Sequence, residues 1–276
     1  IVFGDWSSDV CSSDLHFADG EVPTVTAPAL SSPAEVARLT VPSPGDKRTA
    51  VYLETVDQLK RLPDNPVVLG GCIGPFSLAG RLIGVSEAFS LTLTDPAAMH
   101  ALIEKCSRFL ESYVRAFRLA GADGLIMAEP SAGLLSPAAV AVFSSAYIRR
   151  IVESTSGSPF SFVLHNCAAR LVHLPAILDA GARIYHFGAP MDLPVALSRV
   201  DPGCVLCGNL DPAAVFCRGT TDVVEEQTAR LLESTAAFPN HILSSGCDLP
   251  PQVSLAVLDA FHTAADRFRP VSQVDL

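Results

Sequence analysis

Short apolar runs alternate along this chain with longer stretches in which apolar residues recur every three or four positions. Six runs read as buried strands: Pro66–Gly70, Gly124–Ala128, Phe160–His165, Ala182–Phe187, Cys204–Cys207 and His241–Ser244. Each is nearly continuous in apolar side chains, the pattern of a parallel sheet covered on both faces. Helical stretches lie between them. Asp95-Pro96 supplies an N-cap and a first-turn proline for a helix through about Leu119, which Gly121 stops. Ser136-Pro137 opens a helix toward Val152, Asp211-Pro212 another, and Thr221 or Asp222 a fourth through about Ser234. Val253–Phe268 is a last amphipathic helix. Alternation of this kind predicts an α/β fold, and its length suits a (β/α)8 TIM-type barrel, N-terminally truncated. A doubly wound sheet is the alternative, weakened because no glycine fingerprint follows a first strand. Glu21–Ala50, rich in Pro, Ser and Thr, reads as an extended excursion or hairpin. No internal repeat or interdomain linker stands out, so residues 16–276 are expected to form one barrel domain.

The 276 residues are 49% hydrophobic and 17% charged, which excludes a disordered chain. A net charge of −10 argues against a nucleic-acid partner and against an anionic membrane surface. No apolar run approaches the ~20 residues of a membrane span. With no signal-peptide pattern, a cytoplasmic, reducing setting is expected, where cysteine means core, metal or catalysis. The chain begins without Met, and Asp5–Leu15 (DWSSDVCSSDL) resembles the in-frame translation of a sequencing-library adapter. Residues 1–15 are therefore read as an artefact, with Ile1–Gly4 either a strand remnant or part of it, and the natural beginning as missing. Without that segment the chain loses three aspartates and no cation, moving the net charge from −10 to −7.

His165-Asn166-Cys167 ends the run FSFVLH. Side chains at i and i+2 of a strand point the same way, so His165 and Cys167 can converge at its C-terminal end, where barrels place their active sites. Cys247 follows the last strand in HILSSGCDLP. One imidazole and two thiols make a three-ligand zinc site with an open fourth position, the arrangement of a catalytic metal. H-x-C alone is a weak signal, and buried cysteines with a hydrogen-bonded core histidine are the plain alternative.

Other residues carry open alternatives. Cys204 and Cys207 form the one C-x-x-C pair, but within a strand they face opposite sides and read as packing. Cys72, Cys106 and Cys217 read likewise as small hydrophobes. Glu129, at the end of GLIMA, is a candidate catalytic group: an anchor for the substrate's surroundings, a resting fourth ligand, or a group orienting His165. It is equally a strand-end carboxylate capping a helix. His186 is a candidate to face substrate, or a buried histidine bonded to backbone. Asn209 is a candidate to orient a cofactor at the mouth, while Asp211 reads as a helix cap. Gly70-Gly71 and Gly74-Pro75 allow close backbone approach beneath a ligand.

Taken in order, HNC after a strand, Gly208–Pro212 (GNLDP) and Ser244–Pro250 (SSGCDLP) resemble the uroporphyrinogen decarboxylase superfamily. Gly74–Ala79 (GPFSLA) and Glu129–Gly133 (EPSAG) fit the same pattern. The closer resemblance is to its zinc-dependent branch, the methylcobamide:coenzyme M methyltransferases. The decarboxylases carry a histidine motif where this chain has Gly246-Cys247, and they use no metal. The resemblance implies zinc on His165, Cys167 and Cys247, a methylated corrinoid as co-substrate delivered by a corrinoid-carrying protein, and a small thiol such as coenzyme M as acceptor. A tetrapyrrole decarboxylase and a non-catalytic corrinoid-binding fragment are the rivals.

Overall fold

A computed structural model of the chain describes residues 27–64, 66–155 and 159–268 in full, and the backbone of 2–4, 15–16 and 24–25. Most of the suspected adapter segment, residues 5–14, lies outside the described residues. The described chain forms two compact units, Ile1–Asn166 with Val172–Ile184, and Cys167–Leu171 with Tyr185–Leu276.

In the first unit, β1 (Val2–Gly4) pairs in parallel with β4 (Leu69–Ile73), which pairs with β5 (Gly124–Ala128), which pairs with β6 (Ser161–Asn166). The short β2 (Leu15–His16) and β3 (Thr24–Val25) form an antiparallel pair, and Pro33–Arg38 follows as a 3-10 turn, so of the expected excursion Glu21–Ala50 only Thr24–Val25 is strand, and its partner lies outside that stretch. Helices α1 (Thr49–Lys60), α2 (Pro75–Ile83), α3 (Val85–Thr94) and α4 (Pro96–Leu119) complete the N-terminal half. Helix α4 starts as expected: Asp95 accepts from the Ala98 amide at 3.0 Å, Pro96 fills the first turn, and Gly121 follows its end at φ +96°. Its stripe Met99, Leu102, Cys106, Phe109, Tyr113, Phe117 is fully buried, at helical spacing.

Strand β4 sits three residues later than the hydrophobic pattern indicates. Val67 is 81% exposed, and the strand's centre is Gly70-Gly71. A Cβ on Gly70 would stand 2.7 Å from the Phe117 ring, so helix α4 packs directly on glycine backbone and carries the apolar cover that the strand lacks.

The helix expected from Ser136 runs without interruption as α5 (Pro137–Val140), a π turn (Ala141–Ser145) and α6 (Ala146–Ser154). The short α7 (Leu174–Leu178) closes the unit.

The second unit carries β7 (Ile184–Phe187) from Tyr185 onward, α8 (Leu193–Leu197), β8 (Val205–Leu210), a π turn (Pro212–Cys217), α9 (Thr221–Thr235), β9 (His241–Ser245) and α10 (Leu255–Arg267). Strands β8 and β9 are parallel, with Asn209 opposite Ser244. Its core gathers Leu210, Val215, Phe216, Val224, Val257 and Ala260, with the Phe216 and Phe261 rings edge to face at 5.4 Å. Asp211 caps the π turn as expected, accepting from the Ala213 and Ala214 amides at 2.8 Å each. Cys204 precedes β8 rather than lying within it, and β8 runs on through Gly208 and Asn209. Among the described residues, no helix is long and apolar enough to cross a membrane.

Candidate metal centre

Parallel pairing sets Ile73, Ala128 and His165 in one row at the C-terminal ends of β4, β5 and β6. The ladder continues one step further, with the Gly74 amide donating to Ala128 at 2.7 Å and the Glu129 amide to the His165 carbonyl at 2.8 Å. Gly74, Glu129 and His165, far apart in sequence, are thus neighbours at one edge.

The Glu129 side chain is buried and turned onto the start of α2. Its carboxyl accepts from the amides of Phe76 (2.8 Å) and Ser77 (3.2 Å), and from the Ser144 hydroxyl (3.1 Å). Burial pushes this carboxyl up to about 7, opposed by those hydrogen bonds. Gly74 leaves the space: a Cβ there would lie 2.1 Å from a Glu129 oxygen, so the close approach expected at Gly74 is taken by this side chain. Ser144 belongs to the π turn, a helix defect common beside functional groups. Neither the Phe76 and Ser77 amides nor Ser144 carried a sequence signal.

His165, Cys167 and Cys247 meet. One ligand atom from each lies within 4.8 Å of the others, the cluster of this kind found among the described residues. His165 is buried and ends β6 with Asn166, whereas Cys167 sits in the turn beyond, so the pair converges through a strand-end turn rather than through strand alternation. Cys247 follows the C-terminal end of β9, which the Gly246 amide anchors by donating to Leu210 at 2.6 Å. The Cys167 thiol is held well above its ordinary range, first by its hydrogen bond with Cys247, then by burial and by the neighbouring sulfur's charge. Two thiols so placed cannot both ionise unless a cation lies between them. Donor atoms around one tetrahedral zinc, at bonds of about 2.0–2.3 Å, stand roughly 3.3–3.8 Å apart, so a contraction of at most about 1 Å would bring this set onto an ion. The nitrogen and sulfur donors are those zinc favours. Beside them, the Asn166 Oδ1 is buried without a hydrogen-bond partner.

The remaining candidates divide. His186 Nε2 lies 2.7 Å from the Ser245 carbonyl, the backbone-bonded alternative for this residue. The Asn209 amide nitrogen is spent on backbone, donating to Gly188 (3.0 Å) and Met191 (2.6 Å). Burial raises the Cys204 thiol to about 11 and the Cys207 thiol to about 12, and among the described residues neither joins a group of metal-type ligands. Cys72 and Cys106 are core residues, and Cys217 is exposed.

Parallel strands whose C-terminal ends carry chemistry-bearing side chains, with a His/Cys group that could hold a metal ion, are the features of an α/β enzyme scaffold. The model of the family described as uroporphyrinogen decarboxylase (URO-D) matches residues 8–268, and the chain belongs to that family. It is similar to the curated uroporphyrinogen decarboxylases of Ectopseudomonas mendocina (29% identical) and Azotobacter vinelandii (30%), with 96% of this chain and 77% of each relative covered. Among solved structures, a methyltransferase from Methanosarcina mazei superposes with a TM-score of 0.81 at 21% identity, covering 94% of this chain and 76% of that one. A B12-independent methionine synthase from Shewanella sp. W3-18-1 superposes at 0.59 with 14% identity, covering 79% and 66%. These likenesses place the chain in the TIM-type barrel class.

Proposed function

We propose that this protein transfers a methyl group from a methylated corrinoid to a small thiol, with zinc held by His165, Cys167 and Cys247. The observation that carries this reading is the meeting of those three donors within 4.8 Å. A decarboxylation has no evident use for paired thiols beside an imidazole, whereas thiol alkylation does. A free thiol near pKa 8.5 is mostly protonated at neutral pH, and its thiolate is the nucleophile. Zinc at this position would supply the charge that removes the proton. Cys167 and Cys247 as thiolates would balance the ion's two charges, so that a substrate thiolate there would keep its negative charge and its nucleophilicity. In the transfer, the substrate sulfur attacks the methyl carbon. The carbon–sulfur bond forms, the cobalt–carbon bond breaks with its electron pair left on cobalt, and the thiol proton goes to solvent.

The chain's own residues build the setting. Glu129 pins the start of α2 to the end of β5 and, through its amide, holds the His165 carbonyl. His186 and Asn209 bind backbone around the turns that lead to the thiols. A corrinoid-carrying protein is the proposed methyl donor and the cytoplasm the proposed setting.

Decarboxylation of a tetrapyrrole is the second reading, favoured by the names of the curated relatives at 29–30% identity. Three measurements on purified, folded protein separate the two. The methyltransferase reading expects about one equivalent of zinc, methyl transfer from methylcobalamin to 2-mercaptoethanesulfonate, and no decarboxylation of uroporphyrinogen. Less than half an equivalent of zinc after expression in zinc-supplemented medium would sink it.

A further inference from the structure

The two thiol-bearing turns meet through backbone. A Cβ on Gly188 would stand 2.1 Å from the Cys167 carbonyl oxygen and 2.8 Å from the Cys167 Cα. A Cβ on Gly246 would stand 2.9 Å from the Ala189 nitrogen and 3.0 Å from the Gly188 Cα. The Gly188–Ala189 peptide is therefore packed between the Cys167 backbone on one side and the residue before Cys247 on the other. Neither glycine has a positive φ, so what each supplies is space rather than conformational freedom. The turn itself is clamped. The Gly188 carbonyl accepts from the Asn209 side chain at 3.0 Å and from the Met191 amide at 3.1 Å, and the same Asn209 nitrogen donates to the Met191 carbonyl at 2.6 Å. Asn209 stands opposite Ser244 on the strand pair that leads into Cys247.

We propose that the Gly188 turn, clamped by Asn209, is the positioning device that sets the separation of the Cys167 and Cys247 thiols and thereby the site's affinity for zinc. The inference rests on the reading of His165, Cys167 and Cys247 as zinc ligands. Its scale follows from contact distances. Cβ atoms do not approach other heavy atoms below 3.0 Å, and the atoms facing Gly188 are main chain. An added methyl must therefore widen the gap between the Gly188 turn and the Cys167 backbone by about 1 Å, as much as the whole contraction that would bring the three donors onto zinc. Outer groups that orient metal ligands typically change affinity by about 10–100-fold when altered.

The test uses the full chain, stripped of metal, as wild type, Gly188→Ala and Asn209→Ala. Zinc affinity is measured by competition with a chromophoric chelator, and cobalt(II) titration reads the thiolate-to-metal charge-transfer band. Circular dichroism and the thermal midpoint of the metal-free proteins report folding. Gly188→Ala should weaken zinc binding by about 10–100-fold and reduce the cobalt–thiolate band. Asn209→Ala, which adds no atoms, should weaken zinc binding by about tenfold with a metal-free fold like that of wild type. If Gly188→Ala does not fold, Asn209→Ala decides. Wild-type zinc affinity and an unchanged cobalt band in the folded variants would overturn the positioning role and leave the zinc reading standing. A wild type that takes up no zinc would overturn both.

Discussion

The amide of Glu129 donates to the carbonyl of His165 at 2.8 Å, so the end of β5 that carries the buried carboxyl and the end of β6 that carries the imidazole form one hydrogen-bonded rung. The Glu129 side chain then turns back to the Phe76 and Ser77 amides at the start of α2. One residue thus ties a helix start, a strand end and a proposed ligand together.

Removing the carboxyl should be costly. Glu129→Ala leaves two buried amides and the Ser144 hydroxyl without their acceptor, and should destabilise the protein by about 2–4 kcal/mol. Urea unfolding monitored by circular dichroism checks this. A loss under ~0.5 kcal/mol would mean that the carboxyl is not a structural anchor.

Gly74→Ala attacks the same arrangement from the opposite side. Its Cβ would land 2.1 Å from a Glu129 oxygen, which must leave its place on the helix start. A destabilisation of about 1–3 kcal/mol is expected, as for other overpacked buried sites. The double variant Gly74→Ala with Glu129→Ala should lose less than the sum of the single changes, because the clash partner is gone. Strict additivity in that cycle would show that the two residues do not interact.

Asp123 supplies a pH dependence away from the site. Its carboxyl accepts from the Val68 amide at 2.7 Å and from Lys60 at 3.0 Å, and these partners, the amide foremost, hold it below its usual 3.8. Because the folded value is the lower one, the stabilisation is present above about pH 4 and is lost as pH falls through the folded value. The side chain is 40% exposed, so solvent screening keeps the effect to about 1 kcal/mol. Asp123→Asn should therefore be less stable than wild type at pH 7 and should converge with it at the acid end. A constant difference from pH 7 to pH 3 would contradict the assignment.

The two cysteine groups should separate cleanly. Cys247→Ala is expected to lose both zinc and methyl transfer. The double variant Cys204→Ala with Cys207→Ala should keep its zinc, since burial raises both thiols and neither belongs to a group of metal-type ligands among the described residues. Zinc loss in the double variant, or full retention in Cys247→Ala, would reverse the ligand assignment.

Local chemistry makes much of this protein legible in its sequence. Asp95-Pro96, Asp211-Pro212 and Gly121 mark element ends because capping and backbone conformation depend on neighbours a few residues away. The apolar runs mark β5 and β9 nearly to the residue, since a short apolar run is a local signal, even in β9, which is only partly buried. His165, Cys167 and Cys247 stand out because few residue types can ligate zinc and because they follow strand ends. Tertiary structure decided what depends on distant contacts. Strand β4 is centred on two glycines because the Phe117 ring supplies the missing cover, and that packing leaves no mark on periodicity. Glu129 faces the start of α2, and Gly188 lies against Cys167, because residues 52 and 21 positions apart are brought within contact distance. Sequence alone determined which donors this chain holds, whereas packing of backbone against backbone decided how close they come.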